Sequence, residues 1–266
     1  MVKKFVLYDK LYNLASYKNK NDLVLRYEKY LYELTKGFSK TQVEIKKQRE
    51  FDKRIEIYID GPEENFVKNL LKKEIGGIVK FEDIKVDDIL KGTMTEVGHV
   101  GFGIFLDCAI VKPIKDALLP LYILRNQLVN SKKVSVYKII KNYDFINHFP
   151  LYIKVLEINK ENESIKGEIA PKSLKLFERI INDKIEGLFI SGATKQQFKK
   201  ALIKKGHLRD IVSIERYGFL ENIVLLKQNS NAVGIIAEIG KYLNNCKFSA
   251  LIPDRITKFR SKNILN

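Results

Sequence analysis

A run of cationic side chains between residues 195 and 209 has the clearest spacing for chemistry. Lys195 and Lys199 are four residues apart, as are Lys200 and Lys204, so in a helix they form two rows beside an apolar stripe. Like charges at this spacing repel each other unless an anion neutralises them. The pattern therefore predicts phosphate contacts, with a solvated lysine face as the alternative. The predicted contact residues of this segment are Lys195, Lys199, Lys200, Lys204, Lys205 and Arg209.

The positive charge of the chain is concentrated in its last third. The formal net charge is +16, and residues 172–266 hold 18 basic and 8 acidic side chains. Residues 1–88 hold 19 and 16, and residues 89–171 hold 11 and 8. Because a basic surface speeds encounters with polyanions and no fold requires it, we expect nucleic acid as the partner of this segment. The alternative is the lysine-rich surface of a thermophile, although glutamate is not enriched in parallel here.

Residue types that catalyse reactions or bind metals are present but not grouped. The three histidines and two cysteines lack metal-ligand spacing, and no Gly-x-Ser-x-Gly nucleophile motif occurs. The carboxylate pairs Asp87 with Asp88 and Glu63 with Glu64 are adjacent in sequence, so their side chains do not converge. The sequence predicts a non-enzymatic protein with no catalytic residues, metal or other cofactor. A nucleic-acid-modifying enzyme is the third alternative.

Cysteine usage and hydropathy indicate the compartment. Cys108 and Cys246 are far apart in sequence, which fits a reducing interior. No run of about eighteen apolar residues occurs, and the amino terminus lacks an apolar signal core. We expect a cytoplasmic protein without a membrane partner, and the sequence leaves its oligomeric state open.

Two segments of the chain have the same order of elements. Residues 1–88 are predicted to form strand, helix, strand, strand and helix, with a last strand at 78–81. Residues 172–266 repeat this order after an additional helix, and there Thr194 and Gln197 have the spacing of a capping box. Both segments are predicted to be ferredoxin-like α+β domains. The basic tail after Pro253 is predicted to be frayed.

The middle of the chain, residues 89–171, is rich in strands. It has five strand candidates, of which DALLPLYIL is the third, and a helix-like stretch near Lys138. Five strands with a helix between the third and fourth are typical of an OB-type barrel. The predicted fold class is therefore α+β, with this barrel between two ferredoxin-like domains.

This middle segment resembles the RNA-binding OB module repeated in ribosomal protein S-one. The shared features are Gly92 in the first strand, the stretch FGIF at 102–105, DALL at 116–119 and LYIKVLEIN in the fourth strand. The resemblance implies that bases stack on Phe102 and Phe105. Because strand alternation places residues three apart on opposite faces, this role requires a bulge at Gly103.

Two positions depart from the pattern of that module. The histidine of its third strand corresponds to Pro120, and only Lys166 corresponds to the arginine of its fifth strand. Lys166 therefore joins Phe102 and Phe105 as a residue whose contact with nucleic acid the resemblance implies.

The chain as a whole resembles an archaeal family catalogued as domain of unknown function number 2110. The stretches that carry the resemblance are IDGPEENFVKNLLKKEIG, GHVGFGIFLDCAI, DALLPLYILRNQL and GIIAEIGKYL. The resemblance implies an archaeal protein with an OB-type middle domain, and it brings no activity with it.

Two functions from different classes follow from these observations. The first is a ribosome-associated RNA-binding protein of archaeal translation or RNA metabolism, with ribosomal RNA as the expected ligand. The alternative is a protein-interaction module of the transcription or translation machinery, whose barrel docks a ribosomal or transcription protein without contacting RNA. Strong salt dependence of RNA binding distinguishes the first from the second.

Overall fold

The first unit of the chain combines an antiparallel sheet with two helices. The computed structural model describes residues 3–13 and 20–261. The elements of this unit are β1 (Lys3–Lys10), α1 (Lys20–Thr35), β2 (Gln42–Gln48), β3 (Arg54–Asp60) and α2 (Glu64–Glu74). The strand order is β1-β3-β2. Ile55, Ile57 and Ile59 alternate along the central strand and are fully buried in the core that the two helices cover.

Residues 76–78 extend this sheet beside β1. The Tyr8 amide donates to the Gly76 carbonyl at 3.1 Å, and the Ile78 amide donates to the Val6 carbonyl at 3.2 Å. This order of four antiparallel segments around β1 and β3 confirms the predicted ferredoxin-like arrangement. The strand predicted at 78–81 is shorter than expected, because β4 (Val79–Lys80) leaves this sheet and pairs with the barrel.

The middle unit is a closed barrel of five strands. Its elements are β5 (Ile89–Thr95), β6 (Gly103–Val111), β7 (Lys115–Pro120), α3 (Leu121–Val129), α4 (Val136–Tyr143), β8 (Pro150–Asn159) and β9 (Ser164–Ile169). Around the barrel, β5 pairs with β6, β6 with β7, β7 with β9, β9 with β8, and β8 with β5. Only the β7–β9 pairing is parallel. This closed five-stranded barrel confirms the predicted OB-type fold.

The third barrel strand ends earlier than the sequence pattern suggests. DALLPLYIL was expected to be one strand, but β7 stops at Pro120 and α3 starts at Leu121. Proline has no amide hydrogen with which to continue a strand ladder, and it is readily accommodated at the start of a helix. The connection to β8 therefore holds two helices rather than one.

The last unit contains a four-stranded sheet. Its elements are α5 (Pro171–Asn182), β10 (Gly187–Ser191), α6 (Lys195–Lys204), β11 (Ile211–Arg216), β12 (Glu221–Leu226), α7 (Ala232–Ile239), β13 (Lys247–Leu251) and α8 (Pro253–Ser261). The order β11-β12-β10-β13, antiparallel throughout, confirms the second ferredoxin-like arrangement. The capping box of Thr194 and Gln197 is present at the start of α6.

Both faces of this last sheet are covered. Leu188, Ile190 and Val224 pack in one cluster with α6 and α7. Phe189 and Leu225 face the opposite way and join the apolar cluster that continues into the barrel. A sheet covered on both sides cannot present its strands to a ligand, so this unit can only bind through its helices and turns.

The tail after Pro253 is ordered as α8 up to residue 261, so the prediction of a frayed tail is wrong for these residues. Ile256 is fully buried. The Arg260 guanidinium donates to the Leu128 carbonyl and the Tyr143 hydroxyl, both at 3.0 Å, and the Arg255 guanidinium donates to the Asn142 carbonyl at 3.0 Å. Two arginines that the sequence assigns to a basic tail thus hold this helix against α3 and α4. Residues 262–266 lie outside the described part.

Candidate nucleic-acid interface

Helix α6 presents lysines to solvent because its other side is buried. The capping box fixes its first turn, and Phe198, Ala201 and Leu202 bury their side chains against the last sheet. Lys199, Lys200 and Lys204 are exposed, whereas Lys205 is half-buried. The predicted arrangement of an apolar stripe flanked by lysines is therefore present on this helix.

Tyr242 lies among three lysines near the end of α6. The ammonium nitrogens of Lys204, Lys205 and Lys241 are 4.3, 5.9 and 5.5 Å from the centre of its ring. These are distances at which a cation is attracted to the face of an aromatic ring. Tyr242 is 37% exposed, so a ligand can reach the same ring.

We call the exposed surface formed by these side chains the lysine surface. It consists of Lys199, Lys200, Lys204, Lys205, Arg209, Lys241 and Tyr242. Within residues 3–13 and 20–261, no carboxylate lies within ion-pair distance of the four α6 lysines. Arg209 is highly exposed, and its nearest carboxylate oxygen, on Asp210, is 3.9 Å away. The positive charge of the surface is therefore largely uncompensated.

The sequence reasoning missed Tyr242 and Lys241. They lie in the short turn Gly240–Tyr242, more than thirty residues after α6, and only the fold brings them beside Lys204. The Lys-Tyr pair directly after an apolar helix was the available signal, but a sequence does not show which helix packs alongside.

Lys195 is placed differently from the other lysines of its segment. Its ammonium group donates to the Ile214 carbonyl at 2.9 Å, at the edge where β11 meets α6. Nδ1 of His207 forms a hydrogen bond with Asp210 at 2.9 Å, whereas its Nε2 lies 3.4 Å from a Glu238 oxygen without forming a hydrogen bond.

The two phenylalanines of the barrel lie on the same side and touch each other. Their ring centres are 5.9 Å apart with the planes nearly perpendicular. No bulge at Gly103 is needed, because Phe102 precedes β6 and the β6–β7 register is regular from Gly103 to Leu106. Phe102 is 57% exposed, whereas Phe105 is half-buried. The rule that residues three apart face opposite sides of a sheet does not apply to Phe102 and Phe105, because it holds only within a strand.

Phe105 belongs to a row of outward side chains that crosses the barrel. Thr95 pairs with Phe105, Phe105 with Leu118, and Leu118 with Lys166. The barrel therefore brings Lys166 into line with the phenylalanine pair. The ammonium group of Lys166 is 3.0 Å from a Glu157 carboxylate oxygen, so its charge is partly used within the barrel.

The next row of the barrel is covered by the first unit. Arg54 donates to the Asp107 carboxylate at 2.8 Å, Lys10 pairs with the same carboxylate, and Thr93 beside it is buried. Burial alone would raise the pKa of Asp107, but the charges of Arg54 and Lys10 lower it to about 2. The row of Asp107 and Thr93 is therefore closed to a ligand, whereas the end of the barrel that carries Phe102 is exposed.

Groups typical of metal catalysis do not come together in the described residues. No three histidine, cysteine, aspartate or glutamate side chains among residues 3–13 and 20–261 are placed to hold a metal ion. None of the helices in these ranges is both long enough and apolar enough to cross a membrane.

Comparisons with known proteins give a family and a set of partial structural likenesses. The family model described as the DUF2110 central domain matches residues 84–181, and the DUF2110 C-terminal domain matches residues 185–251. Among curated proteins, no sequence matches the chain.

Three of the partial likenesses to solved structures are to archaeal proteins. An uncharacterized protein from Methanocaldococcus jannaschii matches with 12% identity and a TM-score of 0.23, over 34% of this chain and 96% of that one. A chain of the a/eIF2alpha–aDim2p–rRNA complex from Pyrococcus horikoshii matches with 15% identity and a TM-score of 0.26, over 46% and 64%. The intact alpha subunit of aIF2 from Pyrococcus abyssi matches with 10% identity and a TM-score of 0.24, over 64% and 98%.

Proposed function

Because the chain belongs to the DUF2110 family, and this membership by itself implies no activity, we propose from its surfaces that it is a non-enzymatic RNA-binding protein. The observation that carries this proposal is the lysine surface, where the ammonium groups of Lys204, Lys205 and Lys241 lie within 6 Å of the centre of one partly exposed tyrosine ring. We place its role in archaeal translation or RNA metabolism in the cytoplasm, with ribosomal RNA as the ligand and association with ribosomal particles as the setting.

Phosphate groups of an RNA would neutralise the lysines of this surface and so relieve the repulsion between them. Lys200 and Lys204 are four residues apart on α6, and like charges at this spacing destabilise a helix by a few tenths of a kcal/mol, roughly. A polyanion removes this repulsion and gains entropy from the counterions it releases. Tyr242 then offers a ring on which a base can stack between phosphate contacts.

Removing two lysines of this surface is expected to flatten the salt dependence of RNA binding. Each phosphate contact with a single strand contributes roughly 0.7 to the slope of log affinity against log salt, so Lys199→Ala with Lys204→Ala should lower the slope by about 1.4. Fluorescence anisotropy of a labelled single-stranded RNA over a salt series measures this.

A matched variant separates the lysine surface from net charge. Lys72 and Lys73 are also exposed on a helix, in the last turn of α2, and their replacement with alanine removes the same charge. We expect this control to leave the slope nearly unchanged. Equal slopes in both double variants, or an unchanged slope in the folded α6 variant, would sink the assignment to the lysine surface.

Loss of the Phe102 ring is expected to weaken RNA binding without unfolding the barrel. The side chain is 57% exposed, so Phe102→Ala forfeits little burial, whereas a stacked base is worth about 1 kcal/mol or more, roughly a fivefold change in affinity. Phe105→Ala is expected to lower both affinity and stability, because its ring is half-buried. Melting temperature and RNA affinity are measured on each variant.

Phe66 supplies the control, because it is 71% exposed on α2 and far in sequence from the barrel. Phe66→Ala should change neither quantity. If Phe102→Ala also leaves RNA affinity intact while the α6 variant loses it, the exposed pair Phe102 and Tyr122 instead favours protein docking at this end of the barrel.

A further inference from the structure

A cavity lies where the three units of the chain meet. It has two lobes that share Tyr30, Leu34 and Arg216. The larger lobe has a volume of about 370 Å³ and the smaller about 300 Å³. These are volumes at which proteins hold small organic ligands. No role in the function proposed above uses this cavity.

Three cations line the larger lobe, each from a different element. They are Lys91 on β5, Lys195 on α6 and Arg216 at the end of β11. In the described part of the chain, none of the three has a carboxylate within ion-pair distance. Each is held by an uncharged partner instead, which leaves further N–H donors for a ligand.

The uncharged partners fix where these cations lie. Lys91 donates to the Ile75 carbonyl at 3.3 Å and lies 4.5 Å from the centre of the Tyr8 ring. The Arg216 guanidinium lies 4.3 Å from the centre of the Tyr30 ring. The donors are therefore positioned before any ligand arrives.

The acidic side chains of the larger lobe do not cancel these charges. Asp9 accepts hydrogen bonds from the Tyr27 hydroxyl at 3.2 Å and the Phe219 amide at 3.3 Å, so its oxygens are already occupied. Burial raises the pKa of Asp9, and the charge of Lys91 opposes this increase. Glu74 is the other carboxylate of the lobe. The net charge that a ligand meets there is positive.

Two aromatic rings line the smaller lobe. The rings of Tyr30 and Phe219 are stacked on each other, with centres 5.5 Å apart and planes 29° apart. Thr194 and Gln196 supply polar groups to the same lobe, and its charged lining residues are Lys29, Glu33 and Arg26, which pairs with Asp22. A planar ring with polar edges can contact these aromatic and polar side chains, beside a lobe that fits an anion.

We propose that this cavity binds a nucleoside monophosphate, with the phosphate in the larger lobe against Arg216, Lys195 and Lys91, and the base in the smaller lobe against Tyr30. Arg216 borders both lobes and contacts the ligand where phosphate and base moieties meet. The same chemistry is offered by a free mononucleotide and by the phosphorylated 5′ end of an RNA strand.

Calorimetric titration with AMP, adenosine and inorganic phosphate tests the site. We expect AMP to bind more tightly than either fragment, and Arg216→Gln to weaken AMP binding about tenfold or more through loss of charged hydrogen bonds. Arg179→Gln is the control, because Arg179 is exposed on α5 of the same unit but does not line the cavity. Tyr30→Leu should weaken the binding of AMP more than the binding of inorganic phosphate, because Tyr30 contacts the base and also holds Arg216.

Further experiments distinguish a free nucleotide from the 5′ end of an RNA as the ligand. They also distinguish this cavity from RNA binding by the lysine surface. A short RNA with a 5′ phosphate that competes with AMP, while its 5′-hydroxyl form does not, identifies the strand end as ligand; competition by neither identifies the free nucleotide. Lys199→Ala with Lys204→Ala should leave AMP binding intact even if it abolishes RNA binding. The site is disproved by absent saturable AMP binding, by AMP binding that survives both Arg216→Gln and Tyr30→Leu, or by phosphate binding as tightly as AMP.

Discussion

Replacing Arg54 with methionine is expected to lower the free energy of unfolding by about 3 kcal/mol. Arg54 is 3% exposed, and its guanidinium donates to the Asp107 carboxylate, which is itself 8% exposed. Methionine fills similar space but leaves a buried carboxylate without its main partner. The cost stays at the low end for a buried pair because Lys10 still contacts Asp107.

Urea denaturation of three variants checks this expectation. Arg54→Met with Asp107→Asn should regain part of the loss, because an amide oxygen still accepts the Ala109 amide hydrogen but carries no charge. Arg26→Met is the control: its pair with Asp22 is solvent-exposed along α1 and should contribute well under about 1 kcal/mol. A loss below about 1 kcal/mol in Arg54→Met would show that this contact does not hold the first unit on the barrel.

Changing Glu221 is expected to alter how stability depends on pH. Burial raises the pKa of Glu221 from 4.5 to about 7, and the Tyr12 hydroxyl and Lys91 offset the increase only in part. The folded state therefore holds a proton that the unfolded state releases above pH 4.5. The stabilising contribution is complete below pH 4.5 and is lost as pH rises through about 7, a change of roughly 3 kcal/mol.

His148 changes the stability of the protein over the same pH range as Glu221, but in the opposite direction. Its ring stacks on Tyr12 at 4.2 Å, and burial with the nearby charges of Lys10 and Lys247 lowers its pKa from 6.5 to about 4. Between pH 6.5 and 4, His148 therefore binds a proton in the unfolded state but not in the folded state. The free energy of unfolding falls as pH decreases over this range. Tyr12 thus lies between two groups whose effects nearly cancel.

Single substitutions should uncover both effects. We expect wild-type stability to be nearly level between about pH 5 and 7, Glu221→Gln to lose stability on acidification, and His148→Phe, which keeps the stacking, to lose stability as pH rises. The double variant should be level again. Urea midpoints from pH 5 to 8 measure this, and parallel profiles for both single variants would contradict it.

The sequence predicts the architecture because local signals suffice for it. The alternation of Ile55, Ile57 and Ile59 and the Thr194–Gln197 capping box depend on neighbours within a few residues. Strand order followed from the sequence of elements, since few arrangements of two helices and four strands are available. Two predictions from local signals are wrong. The apolar run DALLPLYIL is not one strand, because Pro120 divides it into a strand and a helix. The basic tail is not frayed up to residue 261, because its arginines bind to α3 and α4.

The contacts between distant parts of the chain could not be predicted in this way. Arg54 and Asp107 look like ordinary surface charges in the sequence, and only the packing of the first sheet on the barrel buries them together. Tyr242 joins the lysines of α6 through the packing of two helices on one sheet. Lys91 and Arg216 come from different units. Such sites depend on tertiary geometry, which a single sequence does not encode locally.

The affinity of the wild-type protein for a single-stranded RNA, measured from about 50 to 200 mM salt, tests RNA binding by the lysine surface most directly. We expect binding that weakens with a log–log slope of about −3, as four or five phosphate contacts would give. Absence of binding at the lowest salt, or an affinity that does not change across the series, would contradict an RNA-binding role.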